Sequence, residues 1–149
     1  MKIKKGTKKD IRTIAKLMQE YQKYENGLDK KIELQKLEEI IKEESAHMKS
    51  GCIYLLLKEG KEMSGIANIS IGHLGKDKFG VIHNFFIKKK FRGQKYGTNF
   101  ADYIFRFFKK EGCKRAKTFV FTKNKKAKRF WEKQGVELDA GFGGAKTLR

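Results

Sequence analysis

The sequence predicts a single α/β domain in which a mixed sheet is flanked by helices. Three observations point there. At 149 residues the chain suits one domain with a real core. Its 39% hydrophobic and 12% aromatic content argues against disorder. Segments with helical apolar spacing alternate with short β-branched and aromatic runs, in the order strand, helix, helix, three strands, helix, strand, helix, terminal strands.

Ile3 lies in a short extended start. Thr7 and Asp10 are spaced as a capping box with Asp in place of the usual Glu, and Ile11, Ile14, Leu17, Met18 and Tyr21 follow at helical spacing. Asn26-Gly27 breaks this helix. Asp29 caps a second, with Leu34, Leu37, Ile40 and Ile41 on its buried side and Glu38, Glu39, Glu43 and Glu44 on its wet side. Ser50-Gly51 ends the helical region. Residues 52–57 and 63–71 read as strands around a Glu59-Gly60-Lys61 turn, an antiparallel hairpin. Residues 72–80, with three glycines and mixed charge, read as a loop.

Residues 80–87, GVIHNFFI, read as a buried strand. Phe100, Ile104, Phe107 and Phe108 mark the apolar face of an amphipathic helix, and Gly112 sits where its C-cap would be. Residues 116–122 form another apolar strand. Residues 124–134 form a helix with Ala127, Phe130 and Trp131 on one side, closed by Gly135. The end of the chain suggests one or two weak edge strands.

Charge is unevenly placed. Residues 80–149 hold 19 Lys+Arg against 5 Asp+Glu, so they carry +14 of the chain's +19. That half should attract anions: a nucleotide cofactor, nucleic acid or an anionic membrane. A basic nucleic-acid-binding protein is one reading. Against it, no helix-turn-helix, zinc-finger or RNP signature accompanies the charge, and the lysines are scattered. Cys52 starts an apolar strand and reads as core, while Cys113 follows a glycine and reads as partly exposed. Neither suggests zinc or a disulfide framework, so no metal is expected. No apolar run reaches the length of a membrane span and no signal-peptide core is visible, so the expectation is a cytoplasmic protein with no membrane partner.

The stretch between the buried strand and the Phe-rich helix carries the chemistry. Arg92, Gly93, Gly97 and Thr98 lie in a short loop that opens a helix. Such a turn presents unpaired backbone N–H groups at a positive dipole end, a place for a phosphate or pyrophosphate. Read alone, it is equally an ordinary connection with glycines for geometry.

Two motifs add to this reading. The first is Arg92-Gly93-Gln94-Lys95-Tyr96-Gly97 after the fourth strand. The second is Asn124, Ala127, Phe130 and Trp131 followed by Glu132-Lys133-Gln134-Gly135. They resemble the Q/R-x-x-G-x-G/A and N-x-x-A-x-x-F-Y-x-x-x-G motifs of the GNAT superfamily of N-acetyltransferases, and the likeness covers nearly the whole chain. Lys95 stands where the family has its middle glycine, with the expectation that φ stays negative there.

The resemblance implies a mostly antiparallel sheet with splayed fourth and fifth strands, and acetyl-CoA as cosubstrate. It implies that Arg92, Gly93 and the amides of Gln94, Lys95, Tyr96, Gly97 and Thr98 cradle the pyrophosphate, with Lys95 and Lys128 adding charge. The pantetheine arm would pair with Phe85, Phe86 and Ile87, and Asn124 would bond the arm or seat the thioester. An amide near Phe86 or Ile87 would stabilise the oxyanion. Trp131 replaces the usual Tyr and becomes a pocket wall or core residue.

His83, on the fourth strand, is the base candidate, ahead of His73 and His47; a core or surface histidine is the plainer reading. Water or Tyr103 would have to protonate the leaving sulfur, if anything does. The acceptor is a small-molecule or peptide amine, contacted around Tyr21, Tyr24 and the Glu-rich second helix. That acidic face favours a polyamine, an aminoglycoside-like molecule or a basic peptide end. A monomer or homodimer with no specific nucleic-acid partner is expected. A non-catalytic CoA-binding regulatory module is the alternative within the fold.

Overall fold

The computed structural model describes residues 1–26, 34–47 and 53–149, without the side chains of residues 25, 26 and 44–47. The expected roles of Asn26-Gly27, Asp29, Ser50-Gly51, Cys52 and the Glu44 and His47 side chains therefore lie outside the described residues. The strands are β1 (Lys2–Lys5), β2 (Ile53–Glu59), β3 (Glu62–Leu74), β4 (Asp77–Ile87), β5 (Cys113–Phe119), β6 (Glu137–Leu138) and β7 (Gly143–Thr147). The helices are α1 (Ile11–Asn26), α2 (Leu34–His47), α3 (Tyr96–Lys110) and α4 (Lys125–Lys133). The described residues form one sheet, ordered β1-β2-β3-β4-β5-β7-β6. Every neighbouring pair is antiparallel except β4–β5, where α3 provides the crossover that a parallel pair needs.

The sheet separates two cores. Tyr54 and Leu56 of β2 pack with Ile66, Phe86 and the α1–α2 residues Ile14, Leu17, Leu37 and Ile41. Leu55 and Leu57 face the other way, onto Ile82, Phe100, Ile104, Phe108 and Trp131. The strand period of two assigns alternate leucines to opposite layers. Burying each such side chain contributes about 1.5–3 kcal/mol before the entropy of ordering it is counted.

Residues 72–80 are not a loop. β3 and β4 run into a tight hairpin with Leu74 opposite Asp77, leaving Gly75 and Lys76 as the turn. Gly75 has φ +64°, the left-handed conformation such a two-residue turn requires. The other two glycines make room for aromatic rings within the ladder. Gly72 faces Phe79, whose ring would lie 2.5 Å from an added Cβ, and a Cβ on Gly80 would run into the Phe108 ring. Glycine content signalled close packing here, not irregular backbone.

Cys113 is buried, which pushes its thiol pKa up, so the expectation of partial exposure fails. β7 lies between β5 and β6 rather than at an edge.

Asp10 leads into α1. Its carboxylate accepts from the Thr7 N–H at 2.9 Å, the Thr7 hydroxyl at 3.0 Å and the Lys4 ammonium at 3.1 Å. Burial alone would raise its pKa; these bonds overcome that and hold it below the usual carboxylate range. A depressed pKa contributes stability above the unfolded-state value of about 3.9, lost as pH falls through the folded one. Asp10→Asn is expected to cost about 1 kcal/mol at neutral pH. The difference in urea midpoint between the two proteins should shrink in acid.

Candidate active site

The parallel seam between β4 and β5 closes only part of the way. Pairing runs from Lys78–Cys113 to Ile82–Thr118 and stops there, with the Thr118 hydroxyl 3.4 Å from the Ile82 carbonyl. β4 continues to Ile87 against β3, while beyond β5 the Val120 N–H turns to the Phe142 carbonyl at 2.9 Å. A cleft of about 930 Å³ opens between the diverging chains.

Phe85 anchors its aromatic floor, with ring centroids 4.9 Å from Trp131, 5.3 Å from Phe100 and 5.5 Å from Phe130. Edge-on and offset contacts at such distances stabilise beyond the area they bury. Tyr21 and Tyr24 of α1 also line the cleft.

The start of α3 opens onto the same cleft. Gly93 and Lys95 both take positive φ, +76° and +65°, and no side chain caps the helix. The first ladder bond runs from Asn99 N–H to Lys95 C=O at 3.0 Å. The N–H groups of Tyr96, Gly97 and Thr98 thus precede the ladder at the positive end of the helix dipole. The expectation of negative φ at Lys95 is overturned: the chain must pass through the left-handed region to enter α3, and here a lysine does it. That conformation costs a non-glycine residue about 1–2 kcal/mol. Lys95→Gly is expected to stabilise the fold by about 0.5–1 kcal/mol, after glycine's extra unfolded-state freedom is subtracted. Thermal melts of Lys95→Gly beside Lys95→Ala, which keeps the strain, check this.

The family model for the acetyltransferase (GNAT) family matches residues 14–136. This chain belongs to the GNAT acetyltransferase family. No curated protein matches it. Its fold is shared by an acetyltransferase from Thermus thermophilus at 19% identity, covering 99% of this chain and 98% of that one with a TM-score of 0.78. PaiA N-acetyltransferase from Thermoplasma acidophilum, in complex with coenzyme A, matches at 17% identity over 98% of both chains, TM-score 0.75. An aminoglycoside acetyltransferase from an uncultured soil metagenomic sample, in complex with sisomicin, matches at 10% identity over 89% of this chain and 85% of that one, TM-score 0.71.

In this GNAT acyltransferase the motif residues divide. Arg92, Gly93, Lys95, Gly97 and Thr98 line the cleft. Gln94 turns away, its amide 3.2 Å from the Lys90 carbonyl. Tyr96 sets its ring edge-on to Phe91 at 5.5 Å; partial burial and the Glu59 carboxylate push its hydroxyl pKa up. Arg92 donates from Nε to the Ile87 carbonyl at 2.8 Å and lays its guanidinium 3.8 Å from the centre of the Tyr24 ring.

On α4, Asn124 lines the cleft and its Oδ1 accepts from the Ala127 N–H at 3.0 Å, capping the helix. Lys128 lies off the cleft, 3.6 Å from Glu132 and over the Phe142 ring. Lys126, Arg129 and Lys133 line it instead. Their i, i+3, i+7 spacing was the signal that would have found them. Trp131 is both buried core and cleft wall.

His83 also lines the cleft, and its Nε2 is 2.6 Å from the Ser70 hydroxyl. Among the described residues, Tyr103 and His73 do not line it, and neither does any residue of α2 or any carboxylate. Glu38 pairs with Arg12 at 3.3 Å and Glu20 lies 3.6 Å from Lys88. Among the described residues, no group of three or more His, Cys, Asp or Glu is placed to hold a metal. No helix there is long and apolar enough to cross a membrane.

Proposed function

We propose that this acetyltransferase moves an acetyl group from acetyl-CoA to a primary amine, which attacks the thioester directly. One observation carries the reading: the uncapped N-terminus of α3 opens onto a cleft that continues along the β4 edge left by β5. Diphosphate suits bare amides at a helix start. Lys95, Lys126, Arg129 and Lys133 bring positive charge to the same cleft. The pantetheine arm, a chain with amide groups, suits a strand edge at Phe85, Phe86 and Ile87. The cosubstrate supplies an activated acetyl group.

The protein's contribution is placement. A backbone amide at Phe86 or Ile87 receives the developing oxyanion charge. Holding amine and thioester in line accounts for most of the rate. His83 takes the proton that a primary amine must lose before it can attack. No side chain is assigned to protonate the departing sulfur. The Trp131 indole is a donor of negligible acidity, and a thiol of pKa about 8.5 leaves as thiolate without help. Asn124 fixes the start of α4 and hence the wall that carries Trp131.

The acceptor enters between Tyr21, Tyr24 and His83. The acidic face of α2 lends no support to a polyamine, because none of its described residues reaches the cleft. A small-molecule or peptide amine fits the space.

Calorimetry with acetyl-CoA and with duplex DNA, followed by free-thiol release across an amine panel, tests the reading. Saturable acetyl-CoA binding with thiol release on at least one amine is expected. Salt-steep DNA binding without acetyl-CoA binding overturns it. Tight cofactor binding with silence across the panel assigns the fold to sensing instead.

A further inference from the structure

β3 and β4 are apolar strands, yet they carry a polar group at one point. Asn68 and Ser70 on β3 stand beside His83 and Asn84 on β4. The ladder is irregular at that point. Asn68 pairs with Asn84 and Ile69 with Ile82, so His83 is the extra residue that the register skips. A bulge re-aims side chains, and the faces of β4 show that it does. Gly80 and Ile82 meet the α3–α4 layer before the bulge; after it, Phe85 and Ile87 do. His83 follows Ile82 and so faces the side of the sheet where Ile66, Phe86 and α1 lie, which is the side of Tyr21 and Tyr24, and the change of parity puts Asn84 on that side as well.

On that face Ser70 meets the imidazole, with Oγ 2.6 Å from Nε2. The two residues differ in access. His83 is exposed and lines the cleft, whereas Ser70 is half-buried and does not line it. The hydroxyl therefore lies behind the ring as seen from the acceptor. It can accept from Nε2–H or donate to Nε2, so it accommodates the ring in either protonation state.

We propose that Ser70 is the positioning residue for His83. It pins the imidazole at the bulge and orients the ring for proton transfer from the acceptor ammonium at Nδ1, with Nε2–H donating to Oγ. This rests on the base role proposed for His83. The proton passes from the ammonium to Nδ1, the imidazolium keeps its bond to Ser70, and the proton returns to water after acyl transfer. Among the described residues, the other charged or titratable groups lining the cleft are Tyr21 and Tyr24 from α1, Arg92 and Lys95 from the loop, and Lys126, Arg129 and Lys133 from α4. Lys117 of β5 lies over Phe79 on the same sheet. All are unchanged in the variants below.

The test is the pH profile of kcat/KM for Ser70→Ala, Ser70→Thr and His83→Ala with one accepted amine. Ser70→Ala is expected to lose about tenfold in rate, less than the hundredfold or more that a general base contributes. Its acid limb should move to lower pH, because the hydroxyl no longer accepts from the charged ring. Ser70→Thr should restore rate and limb, and acetyl-CoA affinity should stay the same throughout. Nitrogen NMR of the His83 ring adds a readout independent of turnover: Nε2–H predominates in the parent and the tautomers mix in Ser70→Ala.

A Ser70→Ala profile and ring spectrum equal to the parent's would overturn the proposal while His83→Ala still removed the limb. An equal loss of rate in Ser70→Ala and Ser70→Thr, with the limb unmoved, would reduce Ser70 to packing and overturn it too. A limb that survives His83→Ala is a different failure, that of the base reading itself.

Discussion

Replacing Gly97 with glutamate is expected to abolish acetyl-CoA binding, weakening it by two to three orders of magnitude, or about 3–4 kcal/mol. Gly97 is the second residue of α3, and its N–H belongs to the group that precedes the helix ladder. A carboxylate there takes the positive dipole end for itself and repels the diphosphate that would sit on it. Space is also short. An added Cβ would lie 3.3 Å from Phe130 Cε2, 3.5 Å from its Cζ and 3.7 Å from Ile87 Cγ1. A long side chain must therefore wedge between α3 and α4 or turn out over the amides. Gly97→Ala separates the two causes, since it adds the Cβ without the charge. Calorimetry should find the alanine variant within about tenfold of the parent and the glutamate variant silent, with melting curves confirming that both fold. Full affinity in the glutamate variant would place the diphosphate elsewhere.

Replacing His83 with alanine is expected to lower the rate at least a hundredfold, the usual contribution of a positioned base, and to remove the acid limb of the pH profile. Acetyl-CoA affinity should be unchanged, because His83 lines the cleft away from the loop that carries Gly93 and Gly97. The split matters: a fall in cofactor affinity would mark His83 as packing. Rate measurements at saturating acetyl-CoA across the pH range decide it, and an unchanged limb would transfer the base role to another group or to water.

The parts of this fold that depend on local spacing were legible in the sequence. Phe100, Ile104 and Phe108 declared the buried face of α3, and Asn124 and Gly135 bracket α4 as read. The GNAT motifs supplied the rest of the plan. What escaped depends on contacts between distant segments. Gly72 and Gly80 looked like loop residues because the Phe79 ring meets Gly72 only once the hairpin register is set, and the Phe108 ring that meets Gly80 comes from α3. Ser70 gave no signal at all, since only the strand register brings it to His83. Lys95 was misread for a different reason. Local steric rules favour glycine at positive φ, and here the surrounding loop imposes the conformation on a lysine.

Arg92 ties α1 to the end of β4. One guanidinium rests on Tyr24 while its Nε secures the last carbonyl of β4, at the base of the loop leading into α3. On the assignment proposed above, substituting Tyr24 is expected to disturb Arg92 and with it the loop into α3, so the Michaelis constants for acceptor and cosubstrate should shift together. Lysine cannot inherit the post: it has neither the flat face nor the forked donors. The double duty makes this arginine a constraint on how the family member can diverge, independent of any phosphate it meets.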